Sequence, residues 1–171
     1  MNDKPAVLGG EPAFQSAVPI VKPPLTAIIE KTLLNYRQIL ESRMVTNFEF
    51  VQKLEKAIAS FIGINHCVAT ANCTSALMLA IKALNIVDGE TLIPSFTFPA
   101  TAHAVHWNNL KITLVDCDSR TFNMSVDDLQ EKVTSKSKMV IPVHVFGNPC
   151  DAKAIDEVAE DKGLSVIYDA A

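Results

Sequence analysis

Residues 138–171 read KMVIPVHVFGNPCDAKAIDEVAEDKGLSVIYDAA, and the order of patterns within this stretch decides the fold. KMVIPVHV, at 138–145, is a short, nearly all-apolar run. DAKAIDEVAEDKG, at 151–163, has a helical pattern. LSVIYDA, at 164–170, is apolar again. Two apolar runs joined through a helix form a crossover, and strands joined that way lie parallel. The runs do not alternate polar with apolar residues, as strands covered on both faces need not.

The same alternation extends upstream. HCVATA (66–71) precedes the helical TSALMLAIKAL (74–84), and ETLIPSF (90–96) precedes PATAHAVHW (99–107). KITLVDCD (111–118) precedes SVDDLQEKV (125–133), where Ser125 and Asp128 stand at capping-box spacing. The expectation is an α/β fold: five strands in a mainly parallel sheet with flanking helices. Two helices are predicted before it. One spans 26–41, with Ile29, Leu33, Tyr36 and Leu40 along one face. The other spans 49–62, with Phe50, Leu54, Ile58 and Phe61 in register and Gly63 as its stop. Residues 1–25 hold five of the nine prolines and read as an extended arm.

The bulk properties narrow the classes. A chain of 171 residues suits one domain and can bury roughly 70% of its unfolded surface. The net charge is -4 and no basic stripe occurs, which argues against nucleic acid as a partner. No apolar run approaches the roughly 20 residues that cross a bilayer, so no membrane partner is expected. MNDKPAVLGGEPAFQ has no apolar signal core, and the expected location is cytoplasmic. The four cysteines, at 67, 73, 117 and 150, form no C-x-x-C pair, and no metal site is expected. The glycines fit neither G-x-G-x-x-G nor the P-loop pattern.

Ligands of parallel sheets sit beyond the carboxyl ends of the strands, so those ends hold the candidate residues. In ATANCTSAL, Asn72 is a helix cap, and the N–H groups of Cys73, Thr74 and Ser75 begin a helix whose positive end suits a phosphate. In PSFTFPAT, Phe96 and Phe98 lie two residues apart, so that one can pack while the other covers a flat ligand. Asp116 and Asp118 read as turn acids or as paired carboxylates. His144 reads as a hydrogen-bonded core residue or a base, and Asp169 as a strand-end acid that caps a helix or serves a site.

Taken together, VTNFEFVQKLEKAIASFIG, ATANCTSALMLAIKAL, LIPSFTFPATAHAV, VDCDSRTFNMS, MVIPVHVFGNPCDAKAI and GLSVIYDAA resemble the N-terminal half of the DegT/DnrJ/StrS family. That family comprises pyridoxal phosphate-dependent enzymes acting on nucleotide-linked sugars. The resemblance implies a truncated fold-type I large domain over 26–171, after an arm at 1–25, with later strands and a small C-terminal domain lying outside the chain; two of those strands would sit between HCVATA and the rest of the sheet, so that without them HCVATA would lose its neighbours. It implies pyridoxal 5'-phosphate as cofactor. Cys73 and Thr74 would hold its phosphate, with cysteine in place of the usual small residue. Phe98 would stack on its ring, and Asp169 would pair with the pyridine nitrogen as the catalytic carboxylate. Thr46 and Asn47 would lie on the substrate side.

The family's Schiff-base lysine has no counterpart here, since it follows the DAA segment. The resemblance therefore implies an aminotransferase in the full-length protein, moving an amino group from a donor such as glutamate to a nucleotide-linked keto-sugar. A sugar dehydratase of the same family, or a catalytically inactive fragment, are the alternatives, and complementation by a second chain is a further one. The family's usual assembly is a homodimer.

Overall fold

Residues 4–19 and 28–171 are described in a computed structural model of the chain, and contacts divide it into two units, Met1–Cys67 and Val68–Ala171. In the first unit, residues 4–19 form no strand. A single 3-10 turn, Ala6–Leu8, interrupts the expected extended arm, whose positions 1–3 and 20–25 lie outside the described residues. Helix α1 spans Ile29–Ser42, and the predicted positions 26 and 27 are likewise outside them. It ends where Arg43 turns left-handed at φ 62°. Helix α2, Glu49–Ile62, occupies the predicted span. Gly63 stops it at φ 79°, with its N–H donating to the Ala59 carbonyl at 2.9 Å, a backbone conformation that a β-carbon would strain. Neither helix has a buried residue.

The second unit contains α3 (Cys73–Ala83), β1 (Glu90–Pro94), α4 (Pro99–Trp107), β2 (Lys111–Val115), α5 (Val126–Lys132), β3 (Ser137–Val140), α6 (Ala152–Lys162) and β4 (Ser165–Val166). The strands pair in the order β2-β1-β3-β4, every pair parallel. Four strands stand where five were expected. Residues 66–71 are irregular and Val68 is 77% exposed. A strand exists only against a neighbour, and the edges of this sheet are β2 and β4.

Successive residues of a strand point to opposite faces, and the two cores divide accordingly. Ile93 of β1 and Met139 of β3 pack with Leu77, Ile81, Ala104 and Val105 of α3 and α4. Their neighbours Leu92 and Val140 pack with Leu129, Ile155, Val158 and Ala159 of α5 and α6. The central strands β1 and β3 are thus covered on both faces and are mostly buried, whereas the edge strand β2 is exposed along most of its length.

Local chemistry fixes the helix starts. The Asn72 carboxamide accepts from Ser75 N–H at 2.8 Å, and the Asp151 carboxylate from Ala154 N–H at 3.1 Å. The predicted capping box at Ser125 forms by half. Its hydroxyl accepts from Asp128 N–H, but the Ser125 N–H already donates to the Asp116 carbonyl. The Asp128 carboxylate therefore takes the Asp116 N–H instead, at 2.7 Å. Pairing continues past β4. Ile167 N–H donates to Val140, Asp169 N–H to Pro142 and His144 N–H to Asp169, so both the N–H and the carbonyl of Asp169 are held by the one neighbouring segment, 142–144.

Leu92 is fully buried at the centre of the sheet, and Leu92→Ala is expected to destabilise the protein by about 2–5 kcal/mol. Lys153→Ala, which removes an exposed 3.9 Å pair with Glu157, is expected to change stability by less than about 0.5 kcal/mol. Shifts in denaturant midpoint measure both.

Candidate functional site

The order β2-β1-β3-β4 reverses direction at β1: the chain leaves β1 for β2 on one side and returns to β3 on the other. At such a switch point the connections after the two central strands part, and a crevice opens between them. A cleft of about 400 Å³ lies there. It is lined by residues 96–99 after β1, 143–146 after β3, and Asp169 and Ala171 after β4. A larger surface hollow, about 510 Å³, lies between α5 and α6 and is lined by no aromatic residue.

Asp169 is 5% exposed. The Thr101 hydroxyl donates to its Oδ2 at 2.8 Å, and Ala171 N–H to its Oδ1 at 3.2 Å. The Cys73 thiol is a third, weaker donor, with Sγ 3.8 Å from Oδ1. No cation pairs with Asp169 among the described residues. A carboxylate taken out of water without a cation is an unfinished arrangement that favours a positively charged group beside it.

The Cys73 contact places the first turn of α3 next to that carboxylate. Asn72 occupies Ser75 N–H, so the three free donors expected there become two. The N–H groups of Cys73 and Thr74 have no partner among the described residues. They point outward at the positive end of the helix dipole. Loss of water around the sulfur pushes the Cys73 thiol pKa up even though the residue as a whole is exposed, and the negative charge of Asp169 adds to this. Cys73 thus stays protonated and able to donate.

The two phenylalanines after β1 differ. Phe96 packs its ring 5.7 Å from Phe122 and 6.1 Å from Phe146, centroid to centroid. Phe98, at the N-terminus of α4, is 78% exposed and lines the cleft. His144 is hydrogen-bonded but only half-buried, on the cleft wall: it stacks on Tyr168 at 5.6 Å, and its Nδ1 accepts from Cys150 N–H at 3.2 Å. The Tyr168 hydroxyl donates to Asp156 at 2.6 Å; burial, then that bond, raise its pKa far above the ordinary phenol.

Asp118 is a turn acid. It accepts from Arg120 N–H at 3.0 Å and Thr121 N–H at 2.9 Å, bonds that lower its pKa. Thr46 and Asn47 belong to the first unit, exposed in the turn between α1 and α2. Sequence reasoning passed over Thr97 and Thr101. Their signal was a pair of hydroxyls four residues apart, bracketing the proline that starts α4.

A sequence profile described as the DegT/DnrJ/EryC1/StrS aminotransferase family matches residues 26–171. Among curated proteins, the chain is 34% identical over 156 residues to dTDP-4-amino-4,6-dideoxy-D-glucose transaminase of Escherichia coli, covering 90% of the chain and 41% of that protein. It is 35% identical to GDP-perosamine synthase of Escherichia coli O157:H7, covering 90% and 42%. Among solved structures it resembles DesI, crystallised with its TDP-sugar product, at a TM-score of 0.78 and 32% identity, covering 84% of this chain and 36% of that one. The chain therefore spans about two fifths of the length of these curated relatives.

Cys73 supplies a probe of the site's charge. Asp169→Asn removes the anion and is expected to lower the thiol pKa, because an adjacent negative charge disfavours the thiolate. The pH profile of iodoacetamide labelling, read at Cys73 by peptide mass spectrometry, should move to lower pH. An unmoved profile would mean that the thiol does not sense Asp169.

Proposed function

This chain belongs to the DegT/DnrJ/EryC1/StrS aminotransferase family, and from that premise we propose that the protein carrying it is a pyridoxal phosphate-dependent aminotransferase of nucleotide-linked keto-sugars. The donor is an amino acid such as glutamate. The observation that carries the reading is the buried, cation-free carboxylate of Asp169 in the switch-point cleft, with an exposed phenyl ring and two free N–H groups close by in the same unit.

These residues fit the cofactor. Asp169 would accept from the pyridine nitrogen and keep it protonated, since an adjacent anion raises a base's pKa. Phe98 would cover one face of the ring. The N–H groups of Cys73 and Thr74 would receive the phosphate, helped by the helix dipole and the Thr74 hydroxyl. Pyridoxal phosphate supplies an electron sink when bound. The protein's part is to hold the ring cationic, fix its plane and exclude water from the Asp169 side. By family resemblance the lysine that joins the cofactor follows the DAA segment, in the portion of its relatives that this chain does not span; among the described residues no lysine lines the cleft.

In this proposal residues 26–171 form a partial large domain preceded by the arm, Thr46 and Asn47 contact the sugar nucleotide, and the enzyme acts in the cytoplasm. It works as a homodimer. The exposed apolar residues of the first unit support that assembly: Leu33, Leu34, Tyr36 and Phe61 are 57%, 63%, 59% and 92% exposed. No helix among the described residues is long and apolar enough to cross a membrane.

The decisive experiment supplies the purified protein with pyridoxal phosphate, glutamate and a nucleotide-linked keto-sugar. Mass spectrometry should find an amino-sugar nucleotide together with 2-oxoglutarate. Loss of a hydroxyl without gain of nitrogen would indicate a dehydratase, and absence of turnover an inactive fragment. Asp169→Ala is expected to lower kcat by at least about 10²-fold while the melting temperature moves far less than that loss would suggest. Retained turnover in that variant would remove Asp169 from its assigned role.

A further inference from the structure

Thr101 is fully buried in the first turn of α4, and its backbone N–H is tied to the Phe98 carbonyl at 3.2 Å. Its hydroxyl donates to Asp169 Oδ2 at 2.8 Å. A hydroxyl has one proton, and Thr101 has committed it. The 2.9 Å contact between the Thr97 and Thr101 hydroxyls therefore has only one direction, Thr97 donating to Thr101. The result is a polarised line, Thr97 to Thr101 to Asp169, ending on the carboxylate that the cleft exposes to a ligand.

A carboxylate has about four acceptor directions. Ala171 N–H, the Cys73 thiol and Thr101 use three on Asp169, with Thr101 alone on Oδ2. One direction is left. Thr101 comes from α4, whereas Asp169 comes from the end of the sheet, so their bond fixes the rotation of the carboxylate against a second, independent element. Without it the carboxylate would be held at Oδ1 alone, by the 3.2 Å Ala171 N–H and the weak Cys73 thiol, and the remaining acceptor direction would be set far less tightly.

We propose that Thr101, with Thr97 behind it, is a positioning residue for Asp169 that aims the carboxylate's last free acceptor direction at the ring nitrogen of pyridoxal phosphate. This rests on the cofactor reading given above. A structural role alone would hold the fold together and affect every ligand of the cleft alike. A positioning role is felt only by a ligand with a nitrogen to meet.

The test uses the full-length protein that carries this chain and two probes, pyridoxal phosphate and its analogue with a carbon in place of the ring nitrogen. Dissociation constants for both are measured by absorbance or fluorescence titration. Thr101→Val, nearly isosteric and without a hydroxyl, is expected to weaken pyridoxal phosphate about tenfold and the carbon analogue less than about twofold. Thr101→Ser, which keeps the donor, should restore affinity for pyridoxal phosphate to within about threefold of the parent.

Thr97→Val should show the same selectivity at about threefold, and it decides the matter if Thr101→Val does not fold. Equal weakening of both probes, or no weakening of either, overturns the proposal. Asp169→Asn is the control for the reading beneath it. If the parent protein does not bind pyridoxal phosphate, or if Asp169→Asn binds both probes as the parent does, the cofactor assignment itself fails. That outcome is distinct from a parent that discriminates through Asp169 while Thr101→Val discriminates equally well.

Discussion

Everything in the cleft depends on one carboxylate held dry. Asp169 is nine-tenths buried and, among the described residues, is met by neutral donors and by no lysine or arginine. Neutral donors satisfy a carboxylate's lone pairs without cancelling its charge. A cation in that position would have made a closed ion pair and left nothing for a ligand. The arrangement keeps a net negative charge at a defined point, in surroundings where its field is weakened less than in water.

The fold supplies that point with little freedom. Asp169 follows β4 and is bonded through its own N–H and carbonyl to the chain after β3, so its backbone is fixed by a ladder and not by a loop. Thr101 approaches from α4, and Cys73 from the start of α3. Three segments far apart in sequence meet at one side chain because the parallel sheet brings strand ends and helix starts to the same edge. The same geometry leaves the Cys73 and Thr74 N–H groups open, because the first turn of a helix has no earlier carbonyls to use.

Much of this was legible in the residues. The strand–helix alternation of 90–171 gave the parallel sheet, and Gly63 and Asn72 marked a helix end and a helix start that the structure retains. HCVATA is apolar enough for a strand but forms none here, because apolar composition cannot supply the neighbour that a strand needs, and by the family resemblance the strands that would flank it lie outside the chain. The Ser125 box was half right for a similar reason: spacing shows what a side chain can reach, not that its target is already bonded elsewhere. Thr101 went unnoticed because the four-residue spacing from Thr97 does not name the partner of either hydroxyl. Its role depends on an acid 68 residues away.

The two phenylalanines after β1 show how packing assigns what sequence leaves ambiguous. Phe96 joins Phe122 and Phe146, which come from the segments after β2 and β3, and those partners hold left-handed backbones at φ 60° and 54°. Such a conformation costs a non-glycine residue about 1–3 kcal/mol. An aromatic pair gains about 0.5–1.5 kcal/mol beyond its buried area, so the ring cluster, whose Phe146 is largely exposed, offsets part of the strain. Phe96 is thereby committed to tying three strand-end segments together at the cleft. Phe98 lies outside those ring pairs and is largely exposed beside the cleft, as the stacking role proposed for it requires.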